Sequence, residues 1–210
     1  RTANARALLA DDPDAFDLLV LDDGFQHRRL HRDLDIVLVD ATRPGLDGDL
    51  LPNGWLREPA SSIRRADLVI ITRADSATDR VEELVRRFRG SDADAITRHL
   101  WSHVEIHRDG REVERIEVGD LAGCRTVIAT GLGNPASFVG QATAAGMDVR
   151  GPLEFPDHAR YGASQLARLR ESLQPGDCLL TSSKDWVKLA RSGLLAGAGF
   201  PVLVPRVTID

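Results

Sequence analysis

Short, almost continuous apolar runs alternate along this chain with stretches whose apolar residues recur every three or four positions. FDLLVL (Phe16–Leu21), DIVLVD (Asp35–Asp40) and DLVIIT (Asp67–Thr72) are of the first kind. Such runs suit parallel strands covered on both faces, whereas a strand with one wet face alternates polar and apolar residues. SATDRVEELVRRFRG is of the second kind. Ser76 and Asp79 resemble a capping box, Val81, Leu84, Val85 and Phe88 share one helical face, and Gly90 stops the helix. Alternation of the two kinds predicts an α/β fold.

The pattern changes near Asp94. HVEIHRDGREVERIEV alternates polar and apolar residues about Asp109-Gly110, the mark of a β-hairpin. After it RTVIAT (Arg125–Thr130) restarts the α/β order, and GLGNP leads into a helix with Asn134 as N-cap and Pro135 at the first helical position. A helix over about Ser164–Leu173, a strand at DCLLTS, a helix start at KDWVKLA and a last strand at FPVLVPRV follow. The expected architecture is an α/β unit over 1–95, a β-ribbon linker over 96–122 and a smaller α/β unit over 123–210. One segment, Ala41–Ser62, fits no element. Loops of that length inside a domain are functional or disordered, and Leu46, Leu50, Leu51, Trp55 and Leu56 argue against disorder.

Composition adds limits. The chain has 210 residues, 42% hydrophobic and 28% charged, with a formal net charge of −5. That balance gives no basic footprint for nucleic acid, and none is expected as a partner. Cys124 and Cys178, each beside apolar residues, read as buried thiols rather than a disulfide framework. No apolar run approaches the ~20 residues of a membrane-spanning helix. The opening RTANARALLADD reads as the middle of a helix, so the chain is expected to be a piece whose front is missing.

The candidate chemistry begins at LVLDDGFQH. An apolar strand ending in Asp22 and Asp23 is the arrangement with which phosphate-transfer enzymes present carboxylates to Mg²⁺ at the carboxyl end of a sheet. A strand running into an ordinary Asp-Asp-Gly turn reads the same way. Arg57 and Glu58, in LREP, pair a phosphate-binding guanidinium with a further acid, or form a surface ion pair. ITRAD ends the third strand, where many nucleotide-binding folds contact the base. Asp157 and His158 sit in FPDHARY, and histidine is the usual general base near neutral pH. His31, in RRLHRD, reads as solvated. His103, Glu105 and His107 alternate along one strand face, where a solvent-facing ribbon explains them more simply than a metal. Lys184 and Lys188 are the only lysines.

Taken in order, DDGFQH, LPNGWLREP, ITRAD, GLGNPASF, FPDHARY and SSKDWVKL resemble the tetraacyldisaccharide 4′-kinase family, from near Arg1 to near the C-terminus. The resemblance implies a P-loop-type parallel-sheet domain with a smaller C-terminal α/β domain joined by a ribbon. It implies ATP-dependent phosphorylation of the 4′-hydroxyl of a tetraacyldisaccharide 1-phosphate in lipid A biosynthesis. Mg²⁺ and ATP would be the cofactors, and the work would occur at the cytoplasmic face of the inner membrane. It assigns Asp22 and Asp23 as Walker-B acids and His27 as the histidine closing that motif. Arg57 and Glu58 become the Arg–Glu pair at nucleotide and metal, and His158 the histidine of a catalytic Asp–His pair. By the same resemblance Asp22, Asp23 and Glu58 would face the metal, and Asp22 and Asp23 would join His158 in catalysis. The family's LPAGPLREP and Thr-Glu-Lys-Asp stand here as LPNGWLREP and Ser182-Ser183-Lys184-Asp185. The phosphate-cradling GxxxxGK[ST] loop does not occur in these 210 residues, so the piece is expected to be inactive alone. The alternatives are a nucleotide-binding switch protein or GTPase-like metallochaperone, or a binding module without catalysis.

Overall fold

The computed structural model describes residues 7, 10, 16–74, 78–109, 111–155, 161–192, 195, 197 and 199–210. It divides into two compact units, Arg1–Arg98 and His99–Asp210.

In the first unit β1 (Ile36–Asp40), β2 (Leu68–Thr72) and β3 (Ala95–Ile96) form a three-stranded parallel sheet in that order. Helix α1 (Asp79–Arg89) and a 3-10 turn at Ala60–Arg65 cover one face. The helix starts after Thr78, buries Val81, Leu84 and Val85, and ends at Gly90, whose φ of 93° needs a residue without a Cβ. Val39, Val69, Ile71, Ile63, Val81 and Val85 make the core on that face. The other face is open among the described residues: Leu38 is 64% exposed.

The run Phe16–Leu21 corrects the expectation of a strand. None forms, and Val20 is 85% exposed. A strand exists only where a neighbour pairs its backbone N–H and C=O groups, and among the described residues nothing pairs with 16–21. An apolar run shows that burial is wanted, not that a partner is beside it. Ser76 of the expected capping box and Asp75 of ITRAD lie outside the described residues.

The second unit is a seven-stranded sheet. Its path is β5 (Arg111–Ile116), β4 (His99–Arg108), β10 (Val202–Ile209), β9 (Cys178–Thr181), β6 (Arg125–Thr130) and β7 (Asp148–Val149), with β8 (Leu153–Glu154) also on β6. β10, β9, β6, β7 and β8 are mutually parallel. The hairpin expected from sequence forms as β4 and β5, with Asp109 at φ 50° in its turn. It does not stand apart as a linker, because β4 pairs antiparallel with β10 from one end to the other. Three helices connect the parallel strands: α2 (Pro135–Ala144), α3 (Ala163–Ser172) and α4 (Ser183–Arg191). Asn134 caps α2 by accepting from the Ser137 N–H, with Pro135 at the first turn. Leu179 and Leu180, adjacent in β9, face two different cores. One contains Leu169, Trp186, Leu189 and Val204, the other Val104, Ile128, Phe138 and Leu203. This is the two-sided burial that continuous apolar runs encode.

Glu105 and His107 are buried, which corrects the solvent-facing reading of that strand. The Arg206 guanidinium donates to both Glu105 oxygens, at 2.7 and 2.8 Å. His107 Nε2 lies 3.2 Å from Glu105 Oε2, and its ring lies over Trp186, 4.2 Å between centroids. Hydrogen bonding from Arg206 holds the Glu105 carboxyl below its usual range. A carboxyl whose folded pKa is depressed stabilises the fold above its unfolded pKa, ~4.3 for glutamate, and that stability is lost as pH falls through the folded value. Acid denaturation is therefore expected to be shallower in Glu105→Gln, with lower stability at pH 7. Melting temperatures from pH 7 to 3 check it, and parallel curves for the two proteins would refute it. Cys124 and Cys178 are free thiols with sulfurs 3.4 Å apart, and burial, then Cys124, pushes the Cys178 thiol up to about 12.

Candidate functional site

The DDGFQH segment is a run of tight turns rather than a strand end. Asp23 adopts φ 49°, a left-handed conformation that aspartate tolerates better than most residues. Gly24 is buried, and a Cβ there would lie 2.5 Å from the Leu21 side chain, so the close approach requires glycine. The His27 N–H donates to the Gly24 carbonyl at 2.9 Å and closes the turn.

Arg32 holds this segment in shape. It donates to the carbonyls of His27, Leu30 and Phe25, at 2.7, 3.1 and 3.5 Å, and grips Asp35 through two bonds of 2.6 and 3.0 Å. The stretch RRLHRD reads as solvated, and His31 is indeed exposed, but Arg32 is the exception. The signal available in sequence was an arginine three residues before an aspartate, too common to single out.

Arg57 reaches back to these turns. Its Nη1 lies 3.5 Å from Asp23 Oδ2 and 3.5 Å from Gln26 Oε1. Asp23, Gln26, His27, Arg28, Arg29 and Arg57 line one open cavity of about 570 Å³. Three of the sequence-predicted residues, Asp23, His27 and Arg57, thus meet, and Asp22 is exposed beside Asp23. Glu58 points elsewhere: Arg65 donates to its Oε2 at 2.6 Å, and that bond holds the Glu58 carboxyl below its usual range. Among the described residues no group of three His, Cys, Asp or Glu side chains is arranged to hold a metal ion. The donor chemistry at Asp22 and Asp23 still fits Mg²⁺, which takes one or two protein carboxylates and fills its remaining positions with water and phosphate oxygens. His158 lies outside the described residues.

The loop between β1 and β2 is ordered. The Leu51 N–H donates to the Leu56 carbonyl at 2.9 Å, the Leu51–Pro52 bond is cis, and a Cβ on Gly54 would lie 2.1 Å from the Asp49 carbonyl oxygen. Leu46 packs on the core, while Leu51 and Trp55 stay exposed. At the carboxyl ends of β1 and β2, Asp40 binds Arg73 and the Thr42 hydroxyl. That pair was not anticipated, although Asp40 ends β1 and Arg73 directly follows its parallel neighbour β2, a natural place for one.

Parallel strands with polar turns gathered around an acid and an arginine define an α/β protein with an open polar cavity at those turns. The model of the family described as tetraacyldisaccharide-1-P 4′-kinase, LpxK, matches residues 1–208, and the chain belongs to that family. A tetraacyldisaccharide 4′-kinase from Geobacter sulfurreducens is 39% identical over 190 residues, covering 90% of this chain and 50% of that protein. One from Anaeromyxobacter dehalogenans is 42% identical over 197 residues, covering 92% and 52%. Among solved structures, the apo form of LpxK from Aquifex aeolicus in complex with ATP has a TM-score of 0.55 and 28% identity, covering 90% of this chain and 52% of that one. The chain spans about half the length of the curated relatives it matches. Membership displaces the switch-protein and metallochaperone alternatives. Among the described residues no helix is long and apolar enough to cross a membrane.

Proposed function

We propose that the protein carrying this chain transfers the terminal phosphoryl group of ATP to the 4′-hydroxyl of a tetraacyldisaccharide 1-phosphate, at the cytoplasmic face of the inner membrane. The observation that carries this reading is the family match over residues 1–208, with Arg57 3.5 Å from Asp23 of the DDGFQH turns.

The roles follow from the side chains. The Arg57 fork matches the oxygens of a phosphate better than a point charge does, and phosphate would compete with Asp23 for it. Asp22 and Asp23 would hold Mg²⁺, and Glu58 joins them only by leaving Arg65. When bound, Mg²⁺ neutralises charge developing on the phosphate oxygens. His27 lines the same cavity and borders the phosphates. His158 takes the proton of the 4′-hydroxyl as its oxygen bonds to phosphorus and ADP leaves. Positioning and charge neutralisation supply most of the rate in phosphoryl transfer.

The test is incubation of the protein, at the full length of its relatives, with γ-labelled ATP and tetraacyldisaccharide 1-phosphate in detergent micelles. Label in a lipid product bearing a 4′-phosphate is the expected result. Label released only as inorganic phosphate would refute the assignment of acceptor.

A further inference from the structure

The cavity at the DDGFQH turns holds more positive charge than the roles above use. Arg28, Arg29 and Arg57 line it against one carboxylate, Asp23, and that carboxylate already faces Arg57. The side chains of Arg28 and Arg29 form no hydrogen bond or ion pair among the described residues. The Arg28 charge reaches Glu58 through space, but that carboxylate is bonded to Arg65. Other arginines of the unit lie against an acid of their own, as Arg32 does with Asp35 and Arg80 with Asp47. In a chain of net charge −5, two neighbouring guanidinium groups left over in one cavity stand out.

The backbone that carries them is held. Arg32 donates to the carbonyls of His27 and Leu30, on either side of the pair, at 2.7 and 3.1 Å. The Leu30 N–H donates to the His27 carbonyl at 3.3 Å. A cationic pair on a braced turn loses less freedom on meeting an anion than one on a loose loop.

The pair also suits a particular anion. A phosphomonoester carries about −1.5 to −2 charges at pH 7, and two guanidinium forks answer it in both charge and donor geometry. ATP brings Mg²⁺, which neutralises much of the charge on its own phosphates. The acceptor in the family's description carries a phosphate at position 1, which is not transferred and has no partner in the roles above. At about 570 Å³ the cavity has the volume of a small-ligand site.

We propose that Arg28 and Arg29 form a second phosphate subsite, which holds the 1-phosphate of the acceptor while Arg57 faces the phosphates of ATP. The proposal rests on the function proposed above. The subsite touches no reacting atom, so it sets KM for the acceptor and leaves kcat alone.

Steady-state kinetics of the kinase at the length of its relatives test it, with tetraacyldisaccharide 1-phosphate and with the same lipid lacking the 1-phosphate. Arg28→Gln/Arg29→Gln should raise KM for the phosphorylated acceptor roughly 10- to 100-fold, the scale of hydrogen bonds to a charged group. Both kcat and KM for ATP should stay within about two-fold of wild type. Wild type should lose a similar factor of kcat/KM on the lipid lacking the 1-phosphate. The double variant should lose nothing further there, because both changes remove one contact. Both side chains are exposed, so the variant should melt with wild type, and the single variants carry the test if the double one does not fold. A rise in KM for ATP in place of the acceptor would assign the pair to the nucleotide and overturn the proposal. So would wild-type constants in the double variant, or an equal loss on removing the 1-phosphate with and without the arginines. If wild type phosphorylates neither lipid, the function proposed above fails by itself, and titration with glucosamine 1-phosphate decides the subsite. Weaker binding by the double variant upholds it, and equal binding or none overturns it.

Discussion

Removing the charge of Asp23 should lower phosphoryl transfer by roughly 10²-fold or more, the scale on which a single charge-stabilising group acts in a transition state. The choice of variant matters. Asp23 sits at φ 49°, where aspartate and asparagine are tolerated and alanine is not. Asp23→Ala would mix loss of charge with backbone strain, and a lost rate could be read as a spoiled turn. Asp23→Asn keeps the conformation and removes only the charge. The Asp23 side chain is 67% exposed, so its thermal stability should stay within about 0.5 kcal/mol of wild type. Asp22→Asn should depress the rate in the same way if both carboxylates face Mg²⁺. The measurement is steady-state kinetics with a magnesium titration, beside thermal melts. Near-native rates in both Asn variants would end the metal assignment. A loss of rate matched by a loss of folded protein would make the residues structural.

Legibility in the sequence followed the range of the forces involved. Helix α1 was readable because the period of its apolar residues and the glycine after it are local. The cap at Asn134 and the hairpin about Asp109-Gly110 were readable for the same reason. The second sheet was readable in kind, since Leu179 and Leu180 had to be buried on both faces. Its pairing was not: that β4 joins β10 across about a hundred residues is a matter of partners, which a linear pattern does not encode. The same gap produced the strand expected at Phe16–Leu21 and the solvent-facing reading of Glu105, whose partner Arg206 lies 101 residues away.

The candidate site divides in the same manner. The residues of DDGFQH and Arg57 were nameable because their types and order carry a family signature. Arg65 and Arg32 were not, because a charge that engages Glu58 or braces a turn through carbonyls leaves no mark beyond being an arginine. Arg28 and Arg29 were visible in sequence as part of a stretch that reads as solvated. Only the cavity they line raised a question about them.

His158→Ala should reduce kcat by roughly 10²- to 10⁴-fold, the range for a lost general base. A sugar hydroxyl is a weak nucleophile while it keeps its proton, and the base must be neutral to accept it. An imidazole with an ordinary pKa of ~6.5 is mostly neutral at pH 7 and protonated below pH 6. The wild-type rate should therefore fall on the acid side of neutrality, and that limb should flatten in the variant. The affinity for ATP should stay within about two-fold, because the residues assigned to the phosphates, Asp22, Asp23 and Arg57, belong to the other unit and none of them pairs with 158 in the proposed roles. A pH series of kcat/KM, with ATP binding measured separately by equilibrium titration, resolves the two effects. Loss of ATP binding in proportion to the lost rate would assign His158 to the nucleotide. An acid limb unchanged in the variant would show that another group takes the proton.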